Sequence, residues 1–350
     1  MLLVLSACSS WKQKDFKKEL EKEPEVEAQP TVATETDKKV LEKFEVEDVK
    51  EDKKAEEPKK EEPKSPKVKI EARKASPKAA PKQVVKVIPA PVKAPAAKAL
   101  PADYPPEMLQ MNAKAKAVWE LYKPNHRVDE KAYLDIHYLG MTVGKIMVSN
   151  KGKKMINGKE VWHFHARFKS APFYSNIYEL DDSVDTYVTS DQFLSIKYSL
   201  IQRETKQDVD DLQLYDRDQM KTFWFYHQKK SDGTVRDKKE EKYMPFYSVD
   251  PFSVVFFYQG LPLKNGDIYE IPIVNKTKIL ILRSQVEGRE KIETEKGSRN
   301  AIRLHATTKY TGETLKSGDM YFWFSDDEKR TLLKAQAKIK IGSVTGDIVE

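Results

Sequence analysis

In Val161-Trp162-His163-Phe164-His165-Ala166-Arg167-Phe168, the residues Trp162, Phe164, Ala166 and Phe168 share one parity and His163, His165 and Arg167 the other. A period of two marks a strand with one apolar and one polar face. The same alternation runs through Tyr133 to Tyr138, Val143 to Ser149, Leu194 to Leu200, Thr222 to His227, Ile302 to Thr308 and Met320 to Phe324. Near the C-terminus, Ala335, Ala337, Ile339 and Ile341 alternate with Lys334, Gln336, Lys338 and Lys340. Turn-forming pairs such as Asn157-Gly158, Asp232-Gly233, Asn265-Gly266 and Lys296-Gly297 separate the runs. About ten to twelve antiparallel strands follow from this spacing. A sheet apolar on one side curls around that side, so the fold expected for residues 128–350 is mainly β, a barrel or half-barrel.

Two segments break the period. Asp250-Pro251-Phe252-Ser253-Val254-Val255-Phe256-Phe257-Tyr258-Gln259-Gly260 opens with an N-cap residue and a proline and closes on glycine. Its middle is apolar all round, which predicts a buried helix over about 250–259 that plugs the curved sheet. Ahead of the domain, within 104–127, Met108, Met111, Ala115, Val118, Trp119 and Tyr122 recur at spacings of three and four between Pro106 and Pro124. They predict a lead-in helix over about 106–122 whose apolar stripe caps the sheet.

The remainder has a different composition. All 13 glycines lie at or after Gly140, and residues 1–100 hold only three aromatic side chains, Trp11, Phe16 and Phe44. So little apolar surface does not offset chain entropy, and residues 9–103 read as a disordered, charged, Pro/Ala/Lys-rich tether. As a flexible coil it reaches roughly 55 Å. The net charge of +7 is divided almost evenly between tether and domain, so the pI of 9.0 is no argument for nucleic acid.

The chain opens Met1-Leu2-Leu3-Val4-Leu5-Ser6-Ala7-Cys8, and Leu5-Ser6-Ala7-Cys8 resembles the lipobox of bacterial lipoproteins. That resemblance implies lipidation of Cys8, removal of residues before it, and a periplasmic domain anchored to the outer membrane. The run before Cys8 lacks a basic n-region and is short for a signal peptide. Cys8 is the only cysteine, so the chain has neither a disulfide framework nor a thiolate metal site.

Within the domain, an ordered set of short motifs is similar to the bacterial exported family called domain of unknown function 3108. They are Tyr138-Leu139-Gly140, Asp181-Asp182, Asp250-Pro251-Phe252-Ser253, Leu261-Pro262-Leu263, Gly288-Arg289-Glu290, Trp323-Phe324-Ser325-Asp326-Asp327 and Ile341-Gly342-Ser343-Val344-Thr345. The resemblance runs from about Val128 to Glu350 and implies no activity. More distantly, the Trp323 to Asp327 hairpin and the strand after it are similar to the half-barrels of periplasmic lipoprotein carriers, which hold acyl chains. That is analogy at the level of fold.

Sequence chemistry points away from catalysis. There is no Gly-x-Ser-x-Gly elbow, no phosphate-binding Gly-rich loop before Lys-Ser/Thr and no His-Glu-x-x-His. His163 and His165 read as part of a solvated polar face rather than half a zinc site, so neither metal nor cofactor is expected. Asp181, Asp182 and Asp185 are the one carboxylate cluster from which a hydrolase could be built. The larger asset is apolar: Trp162, Phe164, Phe168, Tyr198, Trp224, Phe256, Phe257 and Phe322 either fill an ordinary core or line a cavity for a lipid, acyl chain or other amphiphile. The expectation is a non-catalytic lipoprotein, attached to the membrane through Cys8, whose domain binds such a ligand or an envelope partner. The rival is a structural module docking to peptidoglycan or a protein complex.

Overall fold

The computed structural model describes residues 17–22, 34–49, 100–310, 313–314 and 319–349; Cys8 and most of the tether lie outside them. Sixteen strands form one antiparallel sheet. Along its path run β10 (Ile268–Asn275), β11 (Lys278–Thr294), β12 (Gly297–Tyr310), β14 (Met320–Ser325), β15 (Leu332–Lys338) and β16 (Ser343–Ile348). The path continues through β2 (Lys131–Tyr138), β3 (Met141–Ile156), β4 (Lys159–Ser170), β5 (Asp181–Thr189), β6 (Ser195–Glu204), β7 (Gln207–Asp216), β8 (Lys221–Lys230) and β9 (Val235–Tyr243). Short strands β1 (Val46–Asp48) and β13 (Glu313–Thr314) pair with β3 and β12. Two meanders thus meet where the last strand pairs with the first of the domain, Val344 opposite Tyr138 and Ile348 opposite Leu134.

The sheet curls without closing. Its free edges are β9 and β10, and a single parallel bridge, Val249 to Ile273, ties the segment between them back to β10. Bulges between Asn150 and Lys153, Tyr187 and Val188, and Val286 and Gly288 sharpen the twist. Edge strand β9, Val-Arg-Asp-Lys-Lys-Glu-Glu-Lys-Tyr, is densely charged, which guards it against pairing with another chain. Phe164 of β4, Val188 of β5, Ile271 of β10 and Leu304 of β12 share one buried cluster, so distant strands face each other across the concave side.

Two helices fill that concavity, where period and caps placed them. Helix α2 (Pro106–Leu121) contributes Ala115, Val118 and Trp119, and α4 (Ser253–Gln259), which follows the single turn α3 (Pro172–Ser175) of the β4–β5 connection, contributes Val254, Phe256 and Phe257. Phe256 stacks on Phe164 at 4.0 Å between centroids, and Phe257 lies between Trp119 (4.6 Å) and Tyr122 (4.9 Å). The regular helix begins at Ser253, two residues later than the proline signal predicts, but Asp250 caps the turn into it from the expected position: its Oδ1 accepts the N–H of Phe252 (2.9 Å) and Ser253 (2.8 Å). Its Oδ2 accepts the hydroxyls of Thr186 and Ser195 (2.5 and 2.6 Å), which fastens the plug to β5 and β6. At the other end Gly260 is required by close approach, since a Cβ there would sit 2.3 Å from the Tyr122 ring. A further tie is Arg217, fully buried, which donates to the carbonyls of Ser195, Pro245, Phe246 and Ser248. Burial lowers this guanidinium to about 10, still protonated at neutral pH.

Composition misjudged part of the tether. Helix α1 (Glu35–Lys43), opened by a capping box between Thr34 and Asp37, packs on the convex face of the sheet, and strand β1 after it pairs with the end of β3. Phe44 is buried there with Ile156, Val161, Tyr187, Leu212, Leu214, Phe223 and Phe225. Leu20, in the stretch 17–22, is buried with Tyr133 and Met147. The physical reason lies in the strands: Phe223-Trp224-Phe225 is apolar on both faces, so the sheet carries a second hydrophobic surface that needs cover. A few apolar residues in an otherwise charged segment supply it.

Candidate ligand groove

The concave face is not filled evenly. Over β4, β5 and β10 to β12 the plug helix packs against large side chains, but toward β15, β16, β2 and β3 it stands off the sheet. The register explains the gap. Phe322 pairs with Ala335, Ala335 with Gly346, and Gly346 with Ile136, so a row across four strands offers a methyl group and a hydrogen in its middle. A cavity of about 230 Å³ results, floored by Leu134, Ile136, Ile146, Val148, Phe168, Phe322, Ala335, Ala337, Val344 and Gly346 and roofed by Phe252 and Val255. Most of these residues are half-buried, because the cavity opens to solvent.

A smaller space of about 40 Å³ adjoins it and shares Leu134, Val148, Val255 and Leu332. Its remaining lining is more polar and includes His126, Arg127, Glu130, Asn150, Gln259 and Thr331. Burial lowers His126 to about 4, so the ring is neutral at pH 7, with Nε2 2.7 Å from the Tyr122 hydroxyl. Asn150 is 5 % exposed; its Oδ1 accepts the Gly152 N–H, and its Nδ2 has no hydrogen-bond partner among the described residues. The groove therefore has an apolar length and a polar end, suited to holding a chain with a head.

Of the aromatic residues singled out from sequence, Phe164, Phe168, Phe256 and Phe322 line these spaces. The other four are packed elsewhere. Phe257 is wholly buried between the helices, Trp162 packs in the main cluster beside His126, and Tyr198 joins Val184, Tyr215 and Met244 in a satellite cluster. Trp224 donates its indole N–H to the buried Asp211 (3.1 Å). The aliphatic and small residues of β2, β3, β15 and β16 were missed. Their signal was the same alternation, with Ala335 and Ala337 as the sign of unfilled volume.

The carboxylate cluster is divided by the strand it sits on. Asp181 and Asp185 face the convex side, where Asp181 takes two bonds from Arg167 (2.9 Å each) and one from Lys169 (3.0 Å). Asp185 lies 2.6 Å from His163 Nε2 and 2.9 Å from His165 Nδ1. Burial opposes ionisation of both, but these partners outweigh it and hold both below the usual carboxylate range. Asp182 alternates to the other side, where it accepts from Gln202 and the Arg203 N–H, and burial pushes it up to about 6. The three carboxylates do not converge. The solvated face expected for His163 and His165 is also overturned: His165 is buried, His163 stacks on Tyr187 at 4.4 Å, and Arg167 donates to the Lys22 carbonyl of the overlying segment. Among the described residues no group of His, Cys, Asp and Glu is placed to hold a metal ion.

Fold and groove together define a class: an open β half-barrel plugged by a helix, with an apolar cleft between plug and sheet. Residues 134–349 match the family described as protein of unknown function, DUF3108, and the chain belongs to that family. A search of curated proteins finds no match. Among solved structures, the chain is similar to a β-barrel-like protein of domain of unknown function DUF1849 from Brucella abortus, at 10% identity and TM-score 0.41, over 65% of this chain and 98% of that one. It is also similar to a protein from Parabacteroides distasonis described as "a putative lipoprotein", at 10% identity and TM-score 0.30, over 65% of this chain and 96% of that one.

Proposed function

We propose that this protein is a non-catalytic component of the bacterial cell envelope whose half-barrel takes up one acyl chain of a lipid or other amphiphile. The observation that carries this reading is the cavity of about 230 Å³ with an almost wholly apolar lining. An apolar cavity of about 150 Å³ suffices to bind benzene, so this one has room for a segment of a single chain. The polar end with Arg127, Asn150 and Gln259 is where a headgroup would lie. Isothermal titration with dodecanoate tests the reading: saturable binding at one site per chain supports it, and absence of binding together with no lipid in native mass spectra of envelope-purified protein refutes it.

The lipobox at Cys8 supports a periplasmic site of action and anchoring to the outer membrane. Because the stretch 17–22 already packs on the domain, only residues 9–16 separate Cys8 from it, a span of roughly 30 Å when extended. The domain would thus be held close to its membrane, and the Pro/Ala/Lys-rich segment 50–99 would connect two packed stretches rather than set the distance. Membrane fractionation of Cys8→Ala is the test. A variant still found with outer membranes would remove the anchor from this account.

A further inference from the structure

Six large apolar side chains project into solvent at one end of the sheet, from three loops that are spatial neighbours. They are Leu139 in the β2–β3 turn with Met141 at the start of β3, Phe173 and Ile177 in the β4–β5 connection, and Ile339 and Ile341 in the β15–β16 turn. The strands that these loops join follow one another in the sheet, β15, β16, β2, β3, β4, β5. The loops also touch: the Tyr174 hydroxyl lies 2.9 Å from Met141 Sδ, and a Cβ on Gly342 would stand 3.3 Å from the Leu139 side chain. Phe173 is 73 % exposed, and Ile177 and Ile341 are each 69 % exposed. Such exposure of neighbouring apolar residues calls for a partner.

The surroundings say which partner. The three connections carry Lys338 and Lys340 and a single acid, Glu179, which sits at the foot of the β4–β5 connection beside Thr205, although charged residues make up 33% of the whole chain. Lys338 is held by Asp319, while Lys340, between the two isoleucines, makes no ion pair among the described residues. Tyr138, Tyr174 and Tyr178 complete the loops, and tyrosine with apolar tips and lysine is the composition of a protein surface seated in headgroups. The large cavity reaches the same end: Ile136, Phe168, Ala337 and Val344, which line it, are all within two residues of the strand ends that carry these loops.

We propose that this end of the half-barrel docks on a lipid bilayer, with the three loop tips sunk into the interface and Lys340 among anionic headgroups. Docked this way, the apolar groove faces the hydrocarbon from which a chain would come. The surface does not depend on the groove being a ligand site.

The test is co-sedimentation of the full chain carrying Cys8→Ala, which removes any acyl anchor, with vesicles of phosphatidylethanolamine and phosphatidylglycerol and, separately, of phosphatidylcholine. The parent is expected to sediment with both, more with the anionic vesicles. The combination Phe173→Ser, Ile177→Ser and Ile341→Ser should lower partitioning roughly tenfold or more at an unchanged thermal midpoint, because none of the three is buried. Lys340→Glu should weaken binding to the anionic vesicles alone. Equal sedimentation of the triple variant and its parent would overturn the proposal and assign any binding to the basic segment 50–99. A lipid-free dimer that the triple variant converts to monomer would overturn it in favour of a second copy of this chain. Loss of vesicle binding on filling the groove with Ala335→Phe would overturn it by placing the contact there.

Discussion

Ala335 lies in the floor of the groove, opposite Phe322 on one side and Gly346 on the other, and Ala335→Phe should close the site without disturbing the fold. The substitution adds one phenyl group, about the guest that a 150 Å³ cavity accommodates. Set against the 230 Å³ present, that leaves space for only a few carbons. A chain that loses burial of three to five methylenes, at about 0.8 kcal/mol each, loses roughly 2.5–4 kcal/mol, or about 60- to 700-fold in Kd. The ring enters empty space, so the unfolding free energy should hold or rise, whereas overpacking of a filled core would lower it by about 1–3 kcal/mol. Titration calorimetry with dodecanoate and urea denaturation of the same samples read the two quantities. Unchanged dodecanoate affinity would place the chain elsewhere, and a clear loss of stability would mean that the groove is filled in solution.

Phe44→Ala removes the aromatic ring by which the N-terminal segment is fixed to the convex face and should cost about 3–5 kcal/mol in urea denaturation; a loss below about 1 kcal/mol would detach that segment from the folded unit. Gly260→Ala drives a methyl group into the Tyr122 ring and the Lys123 carbonyl, so a stability loss of about 1–3 kcal/mol is expected in thermal unfolding. Asp182 has a folded-state value near 6, above the ordinary carboxylate value. The folded protein therefore binds more protons than the unfolded chain between about pH 4 and 6, and the carboxylate lowers stability as pH rises through that window. Asp182→Asn should flatten this part of the stability–pH profile and raise stability at pH 7. A steeper profile would contradict the assignment.

The period of two in the strands was legible at once, because a side chain in a strand has only two directions and one of them must be apolar. Helix α4 was equally legible: Asp250, Pro251 and Gly260 are local signals and act locally, although the regular helix starts two residues after the proline. The order for residues 34–49 was not. Its apolar residues are too few to form a core of their own, and only the convex surface around Phe223 and Phe225 gives them something to cover. The groove was half legible. Sequence pointed to the aromatics, yet Phe257, Tyr198 and Trp224 are large enough to fill space and do so, while the open volume lies beside the smallest inward residues.

The sequence by itself determined the class of fold, the plugging helix and the family, since each rests on periodicity, capping and motif order along the chain. Tertiary structure alone decided that the sheet stays open, that part of the charged N-terminal stretch is bound to it, and where the cavity lies. Those outcomes depend on which residues become neighbours across strands. Ala335, Gly346 and Ile136 are far apart in sequence, and the volume that they leave exists only once β15, β16 and β2 are paired in register.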